Sequence, residues 1–325
     1  MDNRLTKRRL SDFLAYEWIL TIVAAVAAII VLELIYTVAA TRLSTGQQFK
    51  FYFDDMIFSG SSDKTVYDLL GVEYGENGKT FSYDVLSVET ESLTSSYNVL
   101  SVRLSVQEGD AIFTSSLADE EDGRVKAKEI ADSYAVYDFS ELAKNAETYL
   151  KNFLIDKENG DVYDLNAYDE NAIRAYFDAR MKGDKRFRSE AAKEEGRINE
   201  IGRIKKLAAD LKDFNTLLSV GDGMDLFFRY VRYEQASGGD TADKDYGKVY
   251  EREKEKGEKI YGINVAALTG GGKTVSEYVK ISGEGVTSAE GVVLMLFDFS
   301  GDQYDLQFES ISFTVTLARE FGNVL

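Results

Sequence analysis

"YNVLSVRLSVQEGDAIFTSS", Tyr97 to Ser116, is the stretch on which the fold turns. Leu100, Val102, Leu104 and Val106 alternate with polar residues, as in a half-buried strand. Leu100 and Leu104 also lie one helical turn apart, with Arg103 and Gln107 beside them, so the same residues admit a helix face. Gly109-Asp110 is a turn, and "DAIFTSS" reads as a short buried strand ending in hydroxyls. The sequence alone leaves the segment before the turn open between strand and helix.

Toward the N-terminus, "QQFKFYFDDMIF" is a strand with aromatics on alternating positions. "GVEYGENGKTFSYDVLSVET" has turn chemistry at Asn77-Gly78 and then alternation through Phe81, Tyr83 and Val85. Toward the C-terminus the period changes. "DFSELAKNAETYLKNFL" carries Leu142, Ala146, Leu150 and Leu154 on one helical stripe. "YDENAIRAYFDARM" predicts a second helix with Asp169 as N-cap. A long helix is expected from about Phe187 to Leu218, its stripe running through Ile201, Ile204, Leu207/Ala208, Leu211, Phe214 and Leu218.

A polar, Gly-containing stretch at about 235–259 reads as a loop or linker. After it, "IYGINVAAL", "VVLMLFDFS" and "YDLQFESISFTVTLA" are expected to be strands. In the last, Ile311, Phe313, Val315 and Leu317 alternate with Ser and Thr, and "SGDQ" before it has the character of a hairpin turn. Strands on both sides of a helical block predict an α/β fold.

Trp18 to Ala40 reads "WILTIVAAVAAIIVLELIYTVAA", 23 positions with Glu33 as the one charge. A bilayer-spanning helix needs about 20 apolar residues, whereas the apolar core of a cleaved signal peptide runs about 7–15. Arg4, Lys7, Arg8 and Arg9 precede it, and acid soon follows in "FYFDD". The positive-inside rule then puts residues 1–17 in the cytoplasm, an uncleaved single-pass anchor at 18–40, and residues 41–325 outside. The expected localisation is the cell membrane with the bulk of the chain extracellular.

Composition narrows the chemistry. With 56 acidic and 38 basic residues the net charge is −18, which disfavours nucleic acid as a partner. No Cys, His or Pro occurs. That removes thiol nucleophiles, Ser-His-Asp triads and Cys- or His-ligated metals, while paired carboxylates among 56 acidic residues stay open; no catalytic residue, cofactor or metal ligand is assigned. Residues 180–212 are locally basic, fitted to lipid headgroups or anionic wall polymers, or to a solvated helix face.

Three motifs invite chemistry. Ala267 to Thr274, "ALTGGGKT", resembles a phosphate-cradling loop, and "VVLMLFD" resembles the strand on its magnesium side. Yet "TVSEYVKISGEGV" is too β-branched and Gly-broken to be the helix such a loop opens, so a plain glycine turn is expected. Ser61 to Lys64 has Ser-x-x-Lys spacing without the companion motifs of penicillin-recognising enzymes. Asp298, Ser300, Asp302 and Glu309 follow calcium-loop spacing, but Gln303 stands where Gly is needed. "DKENGDVYDLNAYDE" is a further acidic stretch.

"RLSDFLAYEW" resembles the juxtamembrane start of small single-pass membrane proteins of Gram-positive, clostridia-like bacteria. "VLSVRLSVQEGDAIFTSS", "SYAVYDFSELAKNAETYL" and "EGVVLMLFDFS" together resemble the first lobe of extracellular solute-binding proteins. The resemblance implies a one- or two-lobed solute-binding-like domain, with helix across Leu100 to Gln107. It implies a binding role and no enzymatic one, a small polar solute as ligand, and a cell-envelope location. Ligands of open α/β sheets meet the carboxyl ends of strands. That points to Asp54 and Asp55 after "FKFYF" and to Thr114, Ser115 and Ser116 after "AIF". The alternative is a surface interaction or scaffold module with an envelope protein as partner and no small ligand.

Overall fold

In the computed structural model, Tyr97–Ser105 is helical, which settles the ambiguous segment in favour of the helix. The structure describes residues 7, 11, 18–39, 48–54, 57–59, 87–93, 97–119, 123–221, 223–232, 258–283, 286–298, 308–322 and 325. The chain divides into two units, Met1–Arg42 and Leu43–Leu325.

The first unit holds α1, Trp18–Ala39, 22 residues whose described side chains are all exposed. At 1.5 Å per residue the helix is about 33 Å long. The described side chains run without a break only from Thr21 to Tyr36, about 24 Å of helix. Among the described residues alone, no helix is long and apolar enough to cross a membrane.

The second unit is a mixed α/β structure. A six-stranded sheet is ordered β3-β1-β4-β9-β6-β5, with β1 at Gln48–Phe53, β3 at Ser87–Ser92, β4 at Ala111–Ser115, β5 at Phe227–Tyr230, β6 at Lys259–Asn264 and β9 at Val292–Leu296. β1 runs parallel to both β3 and β4, while β9, β6 and β5 add antiparallel pairings. A second sheet pairs β2 (Ile57–Ser59), β7 (Val279–Gly283) and β8 (Val286–Ser288), all antiparallel.

Helices cover both faces of the large sheet. α2 (Tyr97–Ser105) and α3 (Lys126–Ser133) lie on one face, with Leu100, Ile130 and Ala131 against Tyr52, Ile112, Val293 and Met295. α4 (Phe139–Lys151), α6 (Glu190–Gly221) and α7 (Glu309–Phe321) lie on the other, against Phe49, Phe51, Phe53, Phe113 and Leu294. α5 (Glu170–Arg180) packs along α6.

The amphipathic helices form where their stripes place them. Leu142, Ala146, Leu150 and Leu154 are buried, as are Ile201, Ile204, Leu207, Ala208, Leu211 and Phe214. Asp169 caps α5 by accepting hydrogen bonds from the N–H groups of Asn171 and Ala172 at 2.9 and 3.2 Å.

The C-terminal segment departs from expectation. Residues 309–321 form α7 and not a strand. The apolar residues do recur at helical spacing, Ile311/Val315/Ala318 and Phe313/Leu317/Phe321, but the helix is enclosed almost all round, and Ser and Thr at every other position from 310 to 316 imitate a strand pattern. Those hydroxyl positions are buried too. The Ser312 hydroxyl donates to Asp210 at 2.6 Å, tying α7 to α6. On the opposite side Phe313 meets Phe49, Phe51 and Phe113 with ring centroids 5.1–6.3 Å apart. The turn signals at Asn77-Gly78 and at 300–303, the alternation at 81–85, Ser61 to Lys64, and nearly all of the 235–259 stretch lie outside the described residues.

Candidate functional site

The carboxyl ends of β1 and β4 are where ligand groups were expected, and the structure brings two of the five together. The Thr114 hydroxyl donates to Asp54 Oδ2 at 2.7 Å. Thr114 is wholly buried and Asp54 nearly so. The backbone closes the same corner: Asp54 N–H donates to the Phe113 carbonyl at 2.9 Å, and Ile57 N–H to the Asp54 carbonyl at 3.0 Å. Asp54 and Thr114 are therefore joined to each other across adjacent parallel strands.

The other expected residues stand apart from this pair. The Ser115 hydroxyl accepts from the Leu117 N–H at 3.1 Å. Ser116 turns the other way, its N–H and hydroxyl both donating to the Gly291 carbonyl, at 2.7 and 3.1 Å. Asp55 lies outside the described residues. What the strand ends build is a latched corner of the sheet, with Asp54 and Thr114 facing inward.

A denser polar centre sits at the opposite, amino-terminal end of the same strands. Lys50 projects from the aromatic strand β1 and is largely buried. Its Nζ lies 2.9 Å from both Glu91 and Glu108. Arg103 of α2 reaches Glu108 at 2.9 Å and Glu91 at 3.5 Å. Burial alone would lower the Lys50 pKa, but hydrogen bonds to Glu108 and Glu91 outweigh it and raise it. Glu108 is lowered, first by its hydrogen bond from Lys50. The Tyr52 hydroxyl donates to the Glu108 carbonyl at 3.0 Å, and burial pushes that phenol above its ordinary range.

Asp110 completes this end. Its Oδ2 accepts from the Lys50 N–H at 2.7 Å, and its own N–H donates to the Lys50 carbonyl at 2.7 Å. Burial pushes the Asp110 carboxyl up to about 7, the Lys50 N–H pulls it down, and the charge of Glu309 adds to the rise. Gly109 makes the approach possible. Its φ is +113°, and a Cβ there would fall 2.2 Å from the Tyr52 ring. Sequence reading missed this cluster, although one signal was present: a lysine inside "QFKFYF" is a cation in a strand otherwise made for a core.

A second buried charge cluster joins α4, α5 and α6. Arg203 and Glu200 pair at 2.8 Å with side chains only 2% and 1% exposed. Arg180 reaches Glu200 at 2.9 Å, and Arg203 donates to the Tyr149 hydroxyl at 2.5 Å. Glu200 pairs with both guanidiniums inside the fold, and the cluster is a structural tie between the three helices.

The glycine stretch is the plain turn expected. Gly270 bridges to Gly322, the Gly271 N–H donates to the Phe321 carbonyl at 2.9 Å, and Lys273 pairs with Glu320 at 2.9 Å. Beyond Lys273 the chain makes a short 3-10 turn at Val275–Glu277 and enters β7, with no sustained helix to aim at a phosphate. In the acidic stretch, Asp156, Asp161 and Asp164 each accept from backbone N–H groups two or three residues on. Among the described residues no three His, Cys, Asp or Glu side chains are grouped to hold a metal. Of the calcium-spaced residues, Ser300, Asp302 and Gln303 lie outside the described set.

A shallow open cleft of about 500 Å³ lies beside α3, lined by Arg124, Lys126, Glu129, Asp132, Ser133 and Tyr134. Its charges are already engaged: Glu129 with Arg124 at 3.2 Å and Lys126 at 3.6 Å, Asp132 with the Tyr230 hydroxyl at 2.7 Å. α2 differs in kind. Its inner face carries Leu100, while Val99 and Val102 stand 40% and 64% exposed along its outer side and Val106, in the turn just past its end, 62%. No protein-family model, curated protein or solved structure matches this chain.

Proposed function

We propose that this chain is a single-pass membrane protein whose α/β domain, outside the membrane, docks a protein partner. The observation that carries the reading is the outer side of α2. Three valines at a spacing of three and four residues form an apolar stripe, whereas Ile155 and Ile198 are exposed singly, and it is contiguous apolar surface that marks contact sites. The expected ligand groups point the same way. Asp54, Thr114, Ser115 and Ser116 make their hydrogen bonds within the protein, so a solute would have to displace them.

The anchoring rests on the sequence of α1 read in full: 22 residues, one charge, basic residues ahead of it and acid behind. A receptor for a small polar solute is the second reading. It is supported by the helix at Tyr97–Ser105, the Gly109-Asp110 turn and β4, which come in the order the solute-binding resemblance requires.

Thermal unfolding of residues 43–325 against amino acids, oligopeptides, sugars, polyamines and calcium separates the two. A solute at 100 times its Kd stabilises by about 2.7 kcal/mol. The docking reading expects no such shift, and expects crosslinks from a photoreactive residue at Val102 to one protein in intact membranes. A stabilising solute together with no crosslink from Val102 would reverse the order of the two readings.

A further inference from the structure

The tip of the α5–α6 hairpin is the one strongly basic surface among the described residues of an acidic domain. Residues 180–188, "RMKGDKRFR", carry five basic side chains and one acidic. Two of the five are engaged inside the fold: Arg180 with Glu200 and Arg186 with Asp184, at 2.9 and 2.8 Å. Lys182, Lys185 and Arg188 are exposed and make no ion pair with any described residue.

Elsewhere on these helices most cations are matched, Lys212 near the far end of α6 being the exception among the described residues. Arg174 meets Glu194, Arg197 meets Asp178, and Lys205 meets Glu170. The local basic excess seen in the sequence is thus not spread along the helix. Pairing concentrates it at the tip.

The tip is also rigid. Gly183 takes φ +89° to turn the chain, and Asp184 caps the short 3-10 turn by accepting from the Arg186 N–H at 2.9 Å. Phe187 stacks edge-to-face on Phe177 at 5.0 Å. Both rings pack on Gly196, where a Cβ would come within 2.3 Å of the Phe177 ring. Neither ring belongs to the two main core clusters, so the tip has a small core of its own. Three cations held on a stiff protrusion lose little freedom when they meet a charged surface.

We propose that Lys182, Lys185 and Arg188 form a docking patch for the anionic phospholipid headgroups of the membrane that anchors the chain. This rests on the anchored reading of α1. The net charge of −18 does not prevent it, because charges more than about 8 Å from the surface are screened at physiological salt. Each basic side chain near an anionic surface contributes about 1 kcal/mol, a factor of roughly five. Tethering raises the local concentration of the patch to the millimolar range, so three such contacts suffice.

The chain has no cysteine, so Ser189→Cys gives a single labelling site beside the patch. The full chain, labelled there, is reconstituted in vesicles of phosphatidylcholine alone or mixed with phosphatidylglycerol, with an energy-transfer acceptor in the lipid. Energy transfer is expected to rise with phosphatidylglycerol and to fall back in molar salt, a readout that needs no further substitution. Each of Lys182→Gln, Lys185→Gln and Arg188→Gln should weaken the lipid-dependent signal about five-fold, and the triple variant about a hundred-fold. Transfer that ignores phosphatidylglycerol and salt in a chain that resists alkaline extraction overturns the patch and leaves the anchor standing. Release of the chain by alkaline extraction overturns both.

Discussion

The two faces of the large sheet solve the same burial problem differently, and β1 shows it within six residues. Phe49, Phe51 and Phe53 point to one face, where Phe113 and Phe313 join them in a continuous aromatic cluster. Lys50, Tyr52 and Asp54 point to the other. There a caged cation sits at one end, a Thr–Asp latch at the other, and Tyr52 between them. The first face gains its stability from area removed from water, which tolerates small shifts. The second adds to its own apolar cluster of Leu100, Ile112, Ile130 and Met295 these partners at hydrogen-bond distance, so it fixes the position of α2 and β4 more narrowly.

The largest test of this contrast is Phe313→Ala. Removing the ring at the centre of the aromatic face should cost about 3–5 kcal/mol, read as a lowered denaturant midpoint of residues 43–325. Lys50→Met tests the opposite face. It strands Glu91 and Glu108 beside Arg103 alone, and should cost about 2–3 kcal/mol, less than for a fully buried pair because both glutamates keep some water. A cost as large as that of Phe313→Ala would mean that the polar face dominates the stability.

A third test uses pH. The Asp110 pKa in the folded state, about 7, lies above the ordinary value of 3.8. Between these values the folded state holds a proton that the unfolded chain has released, so stability falls as pH rises from about 4 to about 7. The residue as a whole stays partly exposed, which trims the effect to about 1–2 kcal/mol. Asp110→Asn should flatten that slope. A slope unchanged in the variant would assign it to other carboxylates. The smallest effect is expected outside both faces: Val106→Lys should change stability by less than about 0.5 kcal/mol while abolishing crosslinking from a photoreactive residue at Val102.

Legibility in the sequence followed the same divide between one-sided and enclosed elements. α4, α5 and α6 each bury one stripe and wet the other, so the 3.6-residue period survives in the residue order. α7 has no wet side for most of its length, and Ser310, Ser312 and Thr314 are buried among its apolar residues, so a strand-like alternation overlies the helical spacing of Phe313, Leu317 and Phe321 and the order alone admits both. At the strand ends, Asp54 and Thr114 were visible as polar residues after apolar runs. That they satisfy each other is a contact across sixty positions, which no local pattern carries. Lys50 was visible as an oddity, but its partners come from β3 and from the turn after α2.

The position of α7 has a consequence for how the protein is made. Phe49, Phe51 and Phe53 leave the ribosome early, and the helix that covers them emerges roughly 250 residues later. At about 5–20 residues per second that interval is on the order of tens of seconds. Throughout it the aromatic side of β1 lacks its lid, and a long-range closure of this kind is slow even once the chain is complete. Biosynthesis of this domain therefore includes an obligatory sticky stage. A holdase that masks aromatic segments should raise its yield more than any stabilising substitution in the finished fold.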